Sequence, residues 1–206
     1  MNVLLINGSP HKNGCVFTAL SEIAETLHKQ QIETSMFQLG TQPVRGCIAC
    51  MKCREKGEGC VFKDELYVEL CRLAKQADGI IVGSPVYYGG PNGSLCALLD
   101  RFFFSASALV EHKPAAAIVS CRRGGSTAAF DRLNKYFTIS QMPVVSSQYW
   151  NGVHGRKPED VLKDLEGLQI MRTLANNMAW MLRMQEKAAL PLPAPEAARQ
   201  QTNFIR

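Results

Sequence analysis

Apolar residues arrive along the chain in two alternating rhythms. Residues 3–6 form a continuous apolar run that stops at Asn7-Gly8-Ser9-Pro10, the pattern of a buried parallel strand entering a turn. Val16, Leu20, Ile23 and Leu27 then recur at the spacing of one helix face. Residues 34–39 read as a second strand. Asp64 is placed to cap a helix whose inner face carries Leu66, Leu70, Leu73 and Ala77. Residues 79–83 predict the third strand, and residues 85–93 a loop of Gly, Pro and Tyr. A helix with Leu95, Leu98, Leu99 and Phe102 inside follows. The fourth strand is expected at 115–121, the loop after it at 122–126, and a helix from about 127 to 137. Residues 144–150 predict a fifth strand, and 160–184 one long helix with Leu165, Leu168, Met171, Leu174 and Met178 at its core.

Strands alternating with helices predict an α/β fold: a doubly wound, five-stranded parallel sheet with helices on both faces and right-handed crossovers. Ligands of such sheets bind outside the carboxyl ends of the strands, near the point where strand order reverses. Three loops leave those ends, at residues 8–14, 84–90 and 121–126, and all three are rich in Gly or small residues.

The 206 residues suit one domain, placed at residues 1–187, with a cysteine-rich insertion at 43–62 and an extended arm at 188–206. Pro191, Pro193 and Pro195 forbid a helix at the start of that arm. Asn203-Phe204-Ile205-Arg206 carries two large apolar groups that favour docking, as an arm gripping a neighbouring subunit would. Apolar residues at 46% and charged ones at 20% are a globular balance. The formal charge of +5 is mild and biases the surface toward anionic cofactors. No basic run is interleaved with aromatics, so no nucleic-acid partner is expected. No apolar stretch reaches about 18 residues and no basic leader precedes residues 3–6, so no membrane span or signal peptide is expected and the cytoplasm is the expected location.

The first loop, residues 7–14, runs straight into a helix. Unpaired N–H groups and a partial positive charge at a helix start suit a phosphate. Gly8 and Gly14 let the backbone curl, Ser9 offers a hydroxyl, and Lys12 adds charge. The loop is neither a P-loop nor a G-x-G-x-x-G fingerprint. His11, His28, His112 and His154 are scattered without ligand spacing, and no G-x-S-x-G elbow occurs, so a catalytic metal and that class of hydrolase are not expected, and no catalytic acid or base is named. Cys15 sits where a helix N-terminus would stabilise a thiolate, although support of the phosphate by its backbone is the favoured role. Trp150 and Trp180 read as core or subunit-contact residues.

Four of the eight cysteines, Cys47, Cys50, Cys53 and Cys60, crowd into one short loop, whereas Cys71, Cys96 and Cys121 sit in apolar contexts as small buried hydrophobes. In a reducing compartment such crowding points to metal, cluster or redox chemistry rather than disulfides. The run is like that of ferredoxins, with a longer last gap and no Pro after the fourth Cys. A [4Fe–4S] cluster, a zinc ion and bare cysteines all remain open as readings.

Three motifs together resemble a known family. GSPHKNG is similar to the GSPRKNGNT signature of the NADPH-dependent FMN reductase-like branch of flavodoxin-like proteins. SPVYYGG followed by SLCALLDRFF resembles the second flavin loop and helix of that branch, and CIACMKCREKGEGC the cysteine motif of its iron–sulfur flavoproteins. The resemblance extends from Met1 to about Met184 and implies the strand order 2-1-3-4-5. It implies that Ser9 and the backbone of Lys12, Asn13, Gly14, Cys15 and Val16 hold the FMN phosphate. Pro85, Val86, Tyr87, Tyr88 and Gly89 would line the isoalloxazine ring, while Arg122, Gly124 and Gly125 would face its pyrimidine end. The chain departs from the signature at Cys15-Val16, where two side-chain donors are lost and Thr18 is a candidate substitute.

The expected activity is that of an NAD(P)H-linked reductase passing electrons from FMN to a flavin, quinone, nitro compound, oxygen or metal species. The alternative is a non-enzymatic iron–sulfur flavoprotein that trades electrons with a ferredoxin-like partner. A flavin-free, zinc-stapled regulatory module is a third. The resemblance further implies a homodimer or homotetramer.

Overall fold

A computed structural model describes residues 1–194, 196 and 202. Its sheet follows the path β2-β1-β3-β5-β6, with β1 (Asn2–Asn7), β2 (Glu33–Gln38), β3 (Gly79–Tyr87), β5 (Ala115–Cys121) and β6 (Gly152–His154). All four pairings along that path are parallel. The added β4 (Gly90–Pro91) folds back antiparallel on the end of β3. The other five strands run in the expected order, and the order reverses between β1 and β3.

The central strands β1, β3 and β5 are buried on both faces, so successive side chains feed two cores. Leu4, Ile6, Ile80, Val82, Ala117 and Val119 face α3 (Glu65–Gln76), α4 (Gly93–Ala106) and α5 (Ser126–Ile139). Val3, Leu5, Ile81, Ala116, Ile118 and Val153 face α1 (Cys15–Lys29) and α7 (Leu165–Ala188). Alternate residues serving opposite cores is the period-2 geometry of a strand. The capping predicted at Asp64 is present, its carboxylate accepting the Tyr67 N–H at 3.2 Å.

Four segments differ from the expectation. β3 runs on to Tyr87 because it ends in a hairpin with β4, turning through Tyr88 and Gly89 at φ +50° and +77°. Two successive positive φ values are the mark of the tight turns that match strand twist. The fifth strand lies at 152–154, not 144–150. After Val145 donates to the Ala115 carbonyl at 2.8 Å, the chain leaves the sheet and ties to α7, where Asn177 donates to the Ser146 carbonyl and Ser147 to that of Ile170. Asn151 then rejoins the sheet, its side-chain amide donating to the Ala117 carbonyl at 2.9 Å.

The helix expected at 160–184 is two: α6 (Pro158–Val161), and α7, restarted by Asp164, which accepts the Gly167 N–H. The cysteine insertion holds a short helix, α2 (Lys52–Lys56). Helix α7 ends at Ala188, and residues 190–194 continue without regular structure, exposed. The docking segment expected at Asn203-Phe204-Ile205-Arg206 lies outside the described residues. Trp150 and Trp180 are exposed, which removes the core reading for both. No helix among the described residues is long and apolar enough to cross a membrane.

Candidate cofactor cleft and cysteine pocket

The loop between β1 and α1 is held from below by a polar network at the switch point. Asn7, fully buried, donates through Nδ2 to the Gln38 Oε1 at 2.7 Å and to the Lys12 carbonyl at 3.2 Å, and accepts the Ser9 N–H at 3.1 Å. Gln38 in turn donates to the Ser9 carbonyl at 2.7 Å. Asn92 donates to the Gly8 carbonyl at 2.8 Å, and the Gly8 N–H to the Gly83 carbonyl at the same distance. A Cβ at position 8 would stand 2.4 Å from Leu95 Cδ2 and 2.6 Å from the Gly83 oxygen, so only glycine passes there. Buried polar groups paired this completely fix one loop conformation.

The Ser9 hydroxyl accepts the His11 N–H at 3.1 Å, which leaves its own proton free. No side chain caps the first turn of α1. Thr18 is no substitute for the missing donors, because its hydroxyl donates to the Gly14 carbonyl at 3.2 Å. Cys15 carries a thiol rather than a stabilised thiolate. Burial raises its pKa, and Sγ donates to the Gly155 carbonyl at 3.8 Å.

These groups form one wall of a cleft of about 700 Å³, within the usual range for a ligand site. Ser9, Lys12, Asn13, Gly14, Cys15 and Val16 line it at one end, Pro85, Val86 and Tyr87 along another side, and Arg122 beyond β5. Tyr88, wholly exposed at the hairpin tip, and Gly89, Gly124 and Gly125 do not border it. Gly125 acts from behind. At φ +86° it starts α5 against Gly89, leaving only 2.7 Å between a Cβ there and the Gly89 Cα. The cleft also gathers Ser120, Cys121, Gly155, Arg156 and Lys157, which carry no site motif in the sequence. The signal for the last three was the basic pair beside a helix-starting Pro158. Burial raises the Cys121 pKa, so this residue too remains a thiol.

On the far side of α4, Cys47, Cys50, Cys53 and Cys60 line a single pocket together with Phe62, Phe104 and Arg101. All eight cysteines are free. Cys47 Sγ accepts the Ala49 N–H at 3.4 Å. Among the described residues, no three His, Cys, Asp or Glu side chains stand close enough to hold a single metal ion.

The family model described as NADPH-dependent FMN reductase matches residues 1–156. The chain belongs to that family. An iron–sulfur flavoprotein of Methanocaldococcus jannaschii is 31% identical over 91% of this chain and 100% of its own length. Another, from Methanosarcina thermophila, is 27% identical over 91% of this chain and 98% of its own. Among solved structures, a flavoenzyme NAD(P)H:(acceptor) oxidoreductase from Paracoccus denitrificans superposes with a TM-score of 0.64 at 15% identity, covering 89% of this chain and 97% of that one, a likeness of fold.

Membership in the FMN reductase family makes the chain a flavodoxin-like FMN-dependent oxidoreductase, and the cleft fits that cofactor on the structure's own terms. An uncapped helix start and a free hydroxyl at one end suit a phosphate. Apolar Pro85 and Val86 with the Tyr87 ring suit a flat tricycle on the side wall. Lys12, Arg122, Arg156 and Lys157 give the rim the positive sign an anionic cofactor requires.

Proposed function

We propose that the chain is an NAD(P)H-dependent FMN reductase whose electrons leave to a small-molecule acceptor such as a quinone or a free flavin. The observation that carries this reading is the single cleft assembled by the uncapped start of α1, the end of β3 and the end of β5. Ser9 and the backbone of residues 12–16 would hold the phosphate. Pro85, Val86 and Tyr87 would cover one ring face and exclude water from it. Arg122 would meet the pyrimidine rim, where a positive group favours the reduced, anionic ring. Bound FMN supplies the hydride and electron chemistry, so the protein's part is binding, orientation and electrostatics. The basic rim draws in the anionic nicotinamide dinucleotide as well.

A second reading is favoured by the cysteine pocket: a [4Fe–4S] cluster on Cys47, Cys50, Cys53 and Cys60, with the chain exchanging electrons with a ferredoxin-like partner. Support comes from four thiols on one pocket and from relatives named iron–sulfur flavoproteins. The two readings share the flavin and differ in turnover. We further infer a homodimer or homotetramer using the exposed Tyr149, Trp150 and Trp180 surface, and a reducing, cytoplasmic setting for eight unpaired thiols. Residues 188–206 would then serve as an arm beyond the flavin domain at 1–187.

Anaerobic purification followed by a visible spectrum and steady-state turnover with NADH or NADPH and a quinone tests the proposal. Flavin bands with turnover support the reductase. Flavin and iron–sulfur absorption without turnover supports the carrier. A colourless protein that refuses added FMN overturns both.

A further inference from the structure

Arg101 is a charge sealed inside the molecule beside the cysteines. Its side chain is fully buried, and an ionised group in that position requires partners. Nη2 lies 2.6 Å from the Asp64 carboxylate, which is itself 44% exposed. Nη2 also donates to the Phe62 carbonyl at 2.8 Å and Nη1 to the Arg45 carbonyl at 3.1 Å. Arg45 and Phe62 stand at opposite ends of the segment that carries Cys47, Cys50, Cys53 and Cys60, so one guanidinium ties both stems of the insertion. The ring of Tyr67 lies 5.1 Å from the guanidinium carbon. Nε is buried with no hydrogen-bond partner, and the residue borders the cysteine pocket.

These observations describe a cation only partly offset by a half-exposed carboxylate, with a spare donor, bordering the same pocket as four cysteines. We propose that Arg101 is a positioning residue for a [4Fe–4S] cluster, fixing the geometry of its loop, directing Nε–H to a sulfur and raising its reduction potential. The inference rests on the iron–sulfur reading above. One-electron uptake adds negative charge to an already anionic thiolate-bound cluster. A buried cation and N–H···S bonds favour the reduced form, and both are recognised levers on such potentials. Asp64 sets how much of the charge is felt, because its carboxylate offsets the guanidinium.

The test compares wild type, Arg101→Gln and Asp64→Asn as full chains purified without oxygen. Iron and sulfide are assayed, and the cluster is titrated with dithionite as the one-electron source, followed by EPR, with the flavin read separately by absorbance. Asp64→Asn removes the opposing charge, and its one carbonyl oxygen can still accept the Tyr67 N–H that Oδ1 accepts now, while the position of Oδ2 beside Arg101 becomes an amide NH2. It is expected to favour cluster reduction about tenfold, a shift of about 59 mV upward. Arg101→Gln is expected to shift the potential the other way and to lower iron per chain. Should Arg101→Gln fail to fold, Asp64→Asn carries the test alone. A wild-type protein without iron or sulfide overturns the iron–sulfur reading itself. A loaded wild type whose cluster potential is unmoved in Asp64→Asn, or moves no more than that of the flavin, overturns the role given to Arg101 and leaves the cluster standing.

Discussion

Replacing Ser9 by Ala removes a single hydroxyl from the phosphate end of the cleft. In the free protein that oxygen accepts the His11 N–H at 3.1 Å, and its proton has no acceptor, so it is available to a phosphate oxygen. A hydrogen bond to a charged group contributes about 1.5–3 kcal/mol, and each 1.4 kcal/mol is tenfold in affinity, so Kd for FMN should rise about 10- to 150-fold. Riboflavin has the same ring and no phosphate, so its affinity should change by less than about threefold, the scale of a small loop adjustment. Apoprotein prepared by removing the flavin is titrated with each compound and the quenching of flavin fluorescence followed. Equal losses for both ligands, or no loss for FMN, would refute the placement of the phosphate at Ser9.

Gly125→Ala should cost about 1–3 kcal/mol, because the new Cβ meets Gly89 at 2.7 Å in a left-handed backbone conformation, whereas Gly124→Ala, with open space around it, should melt like wild type. Thermal unfolding of the pair decides, and equal melting temperatures would mean that this loop contact is not needed. Cys15 should be alkylated by iodoacetamide more slowly than the exposed Cys47 and Cys50 near neutral pH, and faster only as pH climbs above the ordinary thiol range, since burial raises its pKa. Peptide mapping by mass spectrometry reads this directly. Tyr136 keeps its proton in the folded state because burial, and then the bond to Asp100, push its pKa up. Its contribution to stability is therefore complete below the unfolded phenol value of about 10 and lost as pH rises above it. Urea unfolding of Tyr136→Phe should show a shallower alkaline loss than wild type.

The alternating rhythm of buried strands and amphipathic helices was legible because each element hides its own apolar stripe, and the three loops that contribute to the cleft were legible as turns leaving the strand ends. The network under the first loop was not. Asn7, Gln38 and Asn92 look in sequence like ordinary turn and edge residues, and the partners that tie them across the fold lie 29 to 84 positions away. Arg101 was hidden for the same reason: on the helix it reads as a solvent-facing charge, and it is buried only because residues 45–62 fold over it. The fifth strand was misplaced because Val144 and Val145 do touch the sheet, yet the segment after them bonds to α7 instead. Tyr88 was indistinguishable from Tyr87 until the hairpin turn put one against the cleft and the other into solvent.

A crystal structure of the protein loaded with FMN tests the central claim most directly. The account predicts phosphate oxygens about 3 Å from Ser9 Oγ and from backbone nitrogens among residues 13–16, with the ring against Tyr87. A phosphate seated anywhere else, or a ring lying away from the end of β3, would contradict it.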